Sequence, residues 1–245
     1  MEKNDPFQEL LWLSHEVGRE DRHLALGGEG SVSARLDEQH FGVRASASAL
    51  HDAAPEQICR CRLDEIQGFI DSQGSDSMDV QAALRRSVSP DGPRPTTDAL
   101  FHSWLLQLEH VRFVGHCHPE ACLQVLCSSA AERFAEYRMF PDEVLATGPQ
   151  SVLVPYVEPG APLAREVRAK MTLAMRRTFG RHPKLILLQN HGIIALGSTA
   201  HSVLSTLQMA EKAARVFVGA ARLGGPIFMT AAMVTRIDNP ARTRR

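Results

Sequence analysis

Residues 185–197, LILLQNHGIIALG, constrain the fold more than any other stretch of the chain. Leu185 to Leu188 form a continuous apolar run, as in a strand buried on both faces, whereas a half-exposed strand alternates apolar and polar residues. Asn190-His191-Gly192 then turns the chain into a second apolar run, Ile193 to Leu196, so a buried hairpin is expected. The composition supports a core of that kind. With 245 residues, 44% hydrophobic and 22% charged, the chain is long enough to bury roughly two thirds to three quarters of its unfolded surface. A disordered or fibrous chain is excluded.

Other elements are legible by period and punctuation. Asp5-Pro6 reads as an N-cap and first helical residue, ahead of a stripe of Phe7, Leu10, Leu11, Leu13 and Val17. Gly27, Gly28 and Gly30 form a turn feeding a hairpin around Val32 and Phe41–Val43. Residues 71–96, polar and rich in Ser, Gly and Pro, read as a long surface loop. From Thr97 the spacing of Leu100, Phe101, Trp104, Leu105 and Leu108 predicts a helix, followed by a buried strand through VRFVGHCHP and a helix over 119–129. SVLVPYV is a further short strand. Pro159-Gly160 opens a helix whose Leu163, Val167, Met171, Met175 and Phe179 recur every four residues. A long helix covers about 202–222 and ends at Gly224-Gly225-Pro226. Strands and helices interleave without internal repeat, so the class is α/β, and the hairpins at both ends speak against an all-parallel sheet. One domain is expected over 1–225, with a C-terminal tail at 226–245 whose NPARTRR is a frayed basic end.

Charge and cysteine usage narrow the function classes. Lys plus Arg number 27 and Asp plus Glu 28, a net charge of -1, so no global basic field points to nucleic acid. No apolar stretch approaches the ~20 residues that span a bilayer. The start, MEKNDPFQEL, lacks the basic and apolar regions of a signal peptide. Cys59, Cys61, Cys117, Cys122 and Cys127 are an odd, unpatterned set, the pattern of reduced thiols in a cytoplasm. Cys59-x-Cys61 has no second pair at finger spacing and is assigned to ordinary packing or surface. The expected partner is a small molecule, with neither nucleic acid nor membrane.

His116 and His118 lie two apart on a strand, so both imidazoles share a face while Cys117 points the other way. That is a ready two-point metal site, although an isolated H-x-H is more often a satisfied pair at a strand end. His191, at a strand-to-turn junction before Gly192, supplies a third neutral nitrogen, and Gly192 permits an unusual backbone there. Three such ligands leave a position open for water or substrate. Arg94-Pro95-Thr96-Thr97-Asp98 precedes a helix. Its hydroxyls and carboxylate serve either as caps or, with free N–H groups and the Gly27–Ser33 loop, as an anion site suited to phosphate.

Together these blocks resemble the class II (metal-dependent) aldolase and adducin head-domain family, which includes the fuculose-, rhamnulose- and ribulose-phosphate aldolases and epimerases. The likeness runs from about Phe7 to Leu223 and rests on three blocks: GEGSVSAR with VRASAS downstream, RPTTDALFHSW leading into VGHCHP, and LLQNHGIIALG. The family's blocks read like G-N-x-S-x-R, P-S-S-E-x-x-x-H, V-x-H-x-H and N-H-G. The resemblance implies a three-layer α/β/α fold with a largely antiparallel sheet flanked by helices. It implies a divalent metal, usually zinc or another transition metal such as manganese, held by His116, His118 and His191. The family's catalytic glutamate falls on Asp98. Thr96 and Thr97 match the hydroxyls that hold the substrate phosphate, and Gly30, Ser31 and Ser46 match other positions of that pocket. Homotetramers with the metal site between subunits are common in the family.

Three positions depart from the family's pattern: Asp98 for Glu, Ser31 for Asn, and Ala47 for Gly after Ser46. The function implied is that of a cytoplasmic, zinc-dependent lyase of carbohydrate metabolism, an aldolase cleaving a phosphorylated ketose through a metal-stabilised enediolate. Asp98 would shuttle the proton at the enediolate carbon. The same residues would also serve an epimerase, a dehydratase or a decarboxylase. An adducin-like assembly module is the non-catalytic alternative, against which three convergent imidazoles speak. A three-histidine hydrolase has no supporting block.

Overall fold

Asp5 accepts a hydrogen bond from the Phe7 N–H at 3.0 Å and Pro6 takes the first helical position, so the first helix, α1 (Pro6–Gly18), begins where its cap and proline place it. The computed structural model describes residues 5–45, 49–72 and 77–239. After α1 comes the expected hairpin of β1 (Ser31–Arg35) and β2 (His40–Arg44), with Ser33 paired to Val43. Beside it lies β3 (Ile58–Arg62), in which buried Cys59 and Cys61 alternate with exposed Arg60 and Arg62. All five cysteines are free thiols, and Cys127 alone of them is exposed.

The helices α2 (Leu63–Asp71) and α3 (Ser77–Ser87) follow. The second corrects the long loop expected over 71–96. Val80, Ala83 and Leu84, spaced for one helical face, are buried against α2 and β3. Its polar majority covers the outer face, which is why composition alone reads as loop.

The remaining elements are α4 (Ala99–Leu105), β4 (Phe113–Cys117), α5 (Glu120–Leu126), α6 (Ala131–Glu136), α7 (Pro141–Thr147), β5 (Val152–Val154), α8 (Ala161–Arg177), β6 (Leu185–Leu188), β7 (Gly192–Gly197), α9 (Ala200–Ala221) and α10 (Ala231–Asp238). In α8, Leu163, Val167 and Met171 are buried, but the expected stripe fails at its end. The helix stops at Arg177, and Phe179 is fully exposed with a φ of 55°. A four-residue step overshoots one turn by about 40°, so a strict four-residue stripe walks off the buried face. Thr230 caps α10, which packs on α7, and Asp238 pairs with Arg181 at 3.0 Å.

The strands form one sheet in the order β3-β2-β1-β4-β7-β6-β5, antiparallel at every step but the parallel β5–β6 pair. Helices cover both faces, giving the α/β/α layering. On one face α1, α5, α6 and α9 pack on Val32, Ala34, Phe113, Ile193 and Ala195. On the other, α2, α3, α4 and α8 pack on Phe41, Val43, Val114, Ile194 and Leu196. The run 185–188 is divided between the two layers, Leu185 and Leu187 facing one and Ile186 and Leu188 the other. The same period puts His116 on the α4 face with Val114, and Cys117 on the opposite face. Among the described residues no helix is long and apolar enough to cross a membrane.

Candidate metal centre and active site

The end of β4 lies beside the start of β7, with Cys117 paired to Ile193, so His118 and His191 emerge at the same rim of the sheet and His116 stands one pleat below. The ring centroids of His116, His118 and His191 are separated by 4.8, 5.1 and 5.1 Å. One nitrogen from each lies within 4.8 Å of the others. His116 Nδ1 donates to the Ile193 carbonyl at 3.0 Å, which fixes the tautomer and turns the lone pair of Nε2 toward His118 Nε2, 3.0 Å away. Burial pulls the pKa of His116 down to about 3, helped by the neighbouring His191. It pulls His118 down to about 4, helped by His116 and His191, and lowers His191 against the opposing charge of Asp98. All three rings are therefore held in the uncharged form at neutral pH.

This donor set fits a divalent transition metal. Two nitrogens on one tetrahedral zinc stand roughly 3.3 Å apart, so the observed 3.0 Å requires only a slight opening of the pair. Glu29 Oε2 approaches the far nitrogen of His118, Nδ1, at 3.8 Å.

The unusual backbone of this turn is at Asn190, whose φ is 55°, and Gly192 has no positive φ. Gly192 is required for space instead. A Cβ there would stand 2.6 Å from the Cys117 carbonyl oxygen and 2.6 Å from His118 Cδ2. Gly192→Ala should therefore cost about 1–3 kcal/mol of stability and weaken zinc binding roughly 10- to 100-fold. Thermal melts and equilibrium dialysis read both, and parental values for both would leave the glycine no part in the site.

Asp98 occupies the turn that begins α4, where its carbonyl accepts from the His102 N–H at 3.0 Å. Its carboxylate makes no capping bond. Instead Oδ2 accepts from the Ser31 hydroxyl at 2.8 Å, and Ser31 is the cross-strand partner of His116. Ser31 also lies 2.8 Å from Nε2 of the buried His102, whose Nδ1 lies 2.6 Å from the Ser33 hydroxyl. Burial holds His102 at a pKa of about 3, with Asp98 pulling the other way.

The threonines do not cap α4 either. The Ala99 and Leu100 N–H groups turn back onto the carbonyls of Thr96 and Thr97, both at 3.1 Å, which takes up donors that an anion at this helix start would use. Thr96 Oγ1 is buried without a partner among the described residues, an orphan that a ligand oxygen would satisfy.

Gly30 has a φ of 76°, and a Cβ on it would meet the His116 carbonyl at 2.6 Å. Its own carbonyl and that of Gly28 accept from Arg44 Nη2 at 2.8 and 2.9 Å. Arg44 is buried, its Nε has no partner among the described residues, and Asp98 opposes the lowering of its pKa by burial. The Ala45–Pro95 bridge sets Thr96 across from Arg44. Ser46 and Ala47 lie outside the described residues.

Sequence reasoning did not single out Arg44, His102 or Ser33. The spacing of His102, four residues after Asp98 on one helical face, was a usable signal. An arginine inside the apolar FGVRA strand was another.

Comparison with known proteins finds relatives over most of the chain. A protein of Haemophilus influenzae named 3-oxo-tetronate 4-phosphate decarboxylase is 24% identical over 214 residues, covering 84% of this chain and 85% of that protein. The uncharacterized oxidoreductase YuxG of Bacillus subtilis is 26% identical over 218 residues, 84% of this chain. The match covers 29% of YuxG, so the chain spans less than a third of that relative. A solved L-fuculose 1-phosphate aldolase superposes with a TM-score of 0.71 over 99% of this chain and 98% of its own, at 15% identity, and shares the fold. The class II aldolase and adducin N-terminal domain family matches residues 8–218, most of the sequence and every element from α1 into α9, and the chain belongs to that family.

Proposed function

We propose that the chain is a metal-dependent carbon–carbon lyase of the aldolase type, acting on a small sugar-derived substrate that carries a phosphate. The observation that carries this reading is the convergence of three uncharged imidazoles next to a carboxylate held by Ser31. His116, His118 and His191 would hold zinc or another divalent transition metal such as manganese. Bound there on neutral ligands, the ion would supply a full 2+ charge, the Lewis acidity that breaking a bond beside a carbonyl calls for.

The chain's own residues supply the rest. Asp98, with Oδ2 restrained by Ser31, would give and take the proton at the reacting carbon through its other oxygen. The orphaned Thr96 hydroxyl, with Thr97 beside it, would bind the phosphate, and the buried charge of Arg44 across the bridge would favour an anion there. Gly30 would let the loop approach closely, and Ser46 belongs to the same pocket in this reading. The remote phosphate would hold the reacting centre in place.

A closed homo-oligomer, a tetramer with sites between subunits, is part of the proposal. Exposed Leu145, Leu223, Ile227 and Met233 give apolar surface for such contacts. Light scattering in dilute solution should report a species well above one chain, and a clean monomer would count against sites between subunits. A cytoplasmic setting is also part of the proposal, and the free thiols are compatible with it.

Decarboxylation is the second reading, favoured by the activity in the name of the Haemophilus influenzae relative, matched over 85% of its length. Both reactions leave an electron pair on carbon next to a carbonyl, and they differ in whether an aldehyde or carbon dioxide departs. Zinc-loaded protein should be assayed on ketose 1-phosphates, pentose phosphates and phosphorylated 3-oxo acids, scoring aldehyde against carbon dioxide. Turnover of none of them would sink both readings. Replacing both Thr96 and Thr97 by Val keeps the shape and should weaken phosphorylated ligands roughly 100-fold, the loss of two bonds to a charged group, with zinc content unchanged. Equal affinity in parent and variant would move the phosphate elsewhere.

A further inference from the structure

We infer that His102 is a positioning residue: through Ser31 it fixes one oxygen of the Asp98 carboxylate, with Ser33 completing the ladder behind it. Its catalytic consequence rests on the function proposed above. Ser31 and Ser33 are two apart on β1 and share the face that meets α4, while Asp98 and His102 are four apart on one side of that helix. The strand pair therefore meets the helix pair as a ladder. Its links are Ser33 to His102 Nδ1 at 2.6 Å, His102 Nε2 to Ser31 at 2.8 Å, and Ser31 to Asp98 Oδ2 at 2.8 Å.

The polarity of the ladder follows from the donor inventory. An ionised carboxylate only accepts, so the Ser31 hydroxyl spends its proton on Asp98. The Ser31 oxygen must then accept from His102, which requires the ring proton on Nε2. Nδ1 is left as an acceptor for the Ser33 hydroxyl, so His102 and Ser31 each donate once and accept once between Ser33, which donates, and Asp98, which accepts. Ser31, Ser33 and His102 are fully buried, so water does not compete for these bonds.

A histidine placed only for packing would not need both ring nitrogens aligned on hydroxyls that lead to a carboxylate at the metal cluster. Asp98 also gains most from such a restraint. One methylene shorter than glutamate, it reaches the cluster only as far as α4 and its bond to Ser31 allow. The hydroxyl of Ser31, expected at the substrate phosphate, donates to Asp98 in this ladder.

The test uses zinc-loaded, full-length protein. Long-range 1H–15N NMR should find the His102 proton on Nε2, and a proton on Nδ1 would reverse the ladder and overturn the inference. With a substrate from the assay panel, Ser31→Ala, which removes the bond to the carboxylate, and His102→Phe, which frees Ser31 to turn away from it, should each lower kcat roughly tenfold, about the worth of one bond to a charged group, leaving KM and zinc stoichiometry at parental values. His102→Gln, whose amide can still donate to Ser31, should recover most of the rate. In an Asp98→Asn background neither Ser31→Ala nor His102→Phe should cost anything further, because both act through the lost carboxylate. A tenfold loss that persists unchanged in that background would make the role structural and overturn the inference. If no substrate turns over, the proposed function falls and the NMR result alone decides the ladder.

Discussion

His118→Ala should bind zinc roughly 100- to 1,000-fold more weakly than the parent and lose nearly all turnover. Structural zinc sites release about 10–16 kcal/mol over four ligands, so one ligand accounts for roughly 3–4 kcal/mol, which is that range in affinity. His118 is the appropriate member of the cluster to remove. It lies just beyond β4 at the rim, and its backbone N–H, which bonds the Leu24 carbonyl at 3.1 Å, is untouched by the change. His116, by contrast, is fully enclosed, and truncating it would confound metal loss with a cavity. Equilibrium dialysis measures the affinity directly. Thermal unfolding gives an independent readout: at zinc 1,000-fold above its dissociation constant the parent should gain about 4 kcal/mol, and the variant little. A variant that binds zinc as tightly as the parent would remove His118 from the site.

Asp98→Asn should retain zinc and fold but lose about 100-fold or more in rate, the usual scale for a general acid/base group. The change preserves shape, and the side-chain oxygen of Asn can still accept from the Ser31 hydroxyl, so the turn before α4 keeps its contact with β1. What is lost is the capacity to hold a proton, together with the negative charge that favours protonation of His102, His118 and His191. Because the carboxylate plays no capping role, its loss should not reduce stability by way of α4. Single-turnover rates on a substrate found in the panel separate chemistry from release. Parental rates would place proton transfer on another group, and a loss of zinc in parallel would mean that Asp98 acts mainly on the metal cluster.

What the sequence determined by itself is local. The apolar run at 185–188, the Asp5-Pro6 start of α1 and the pairing of His116 with His118 depend on the period of the backbone and on caps within a few residues. Such features are written in consecutive side chains, as is the place of His191 at a strand-to-turn junction, and the family motifs added the part expected of Asp98 and the layering. The tertiary structure decided what each group touches. Whether Asp98 caps its helix or faces the metal cluster depends on a bond to Ser31 across 67 residues, and the role of His102 on bonds across 71 and 69. Gly192 looked like a turn residue, and only the approach of Cys117 and His118 shows it to be a matter of space. The helix at 77–87 stayed hidden because three apolar side chains make a face only when α2 and β3 lie beneath them. Period and capping act through neighbours in the chain, whereas these contacts arise when separate elements are brought together, and no spacing along the sequence encodes that distance.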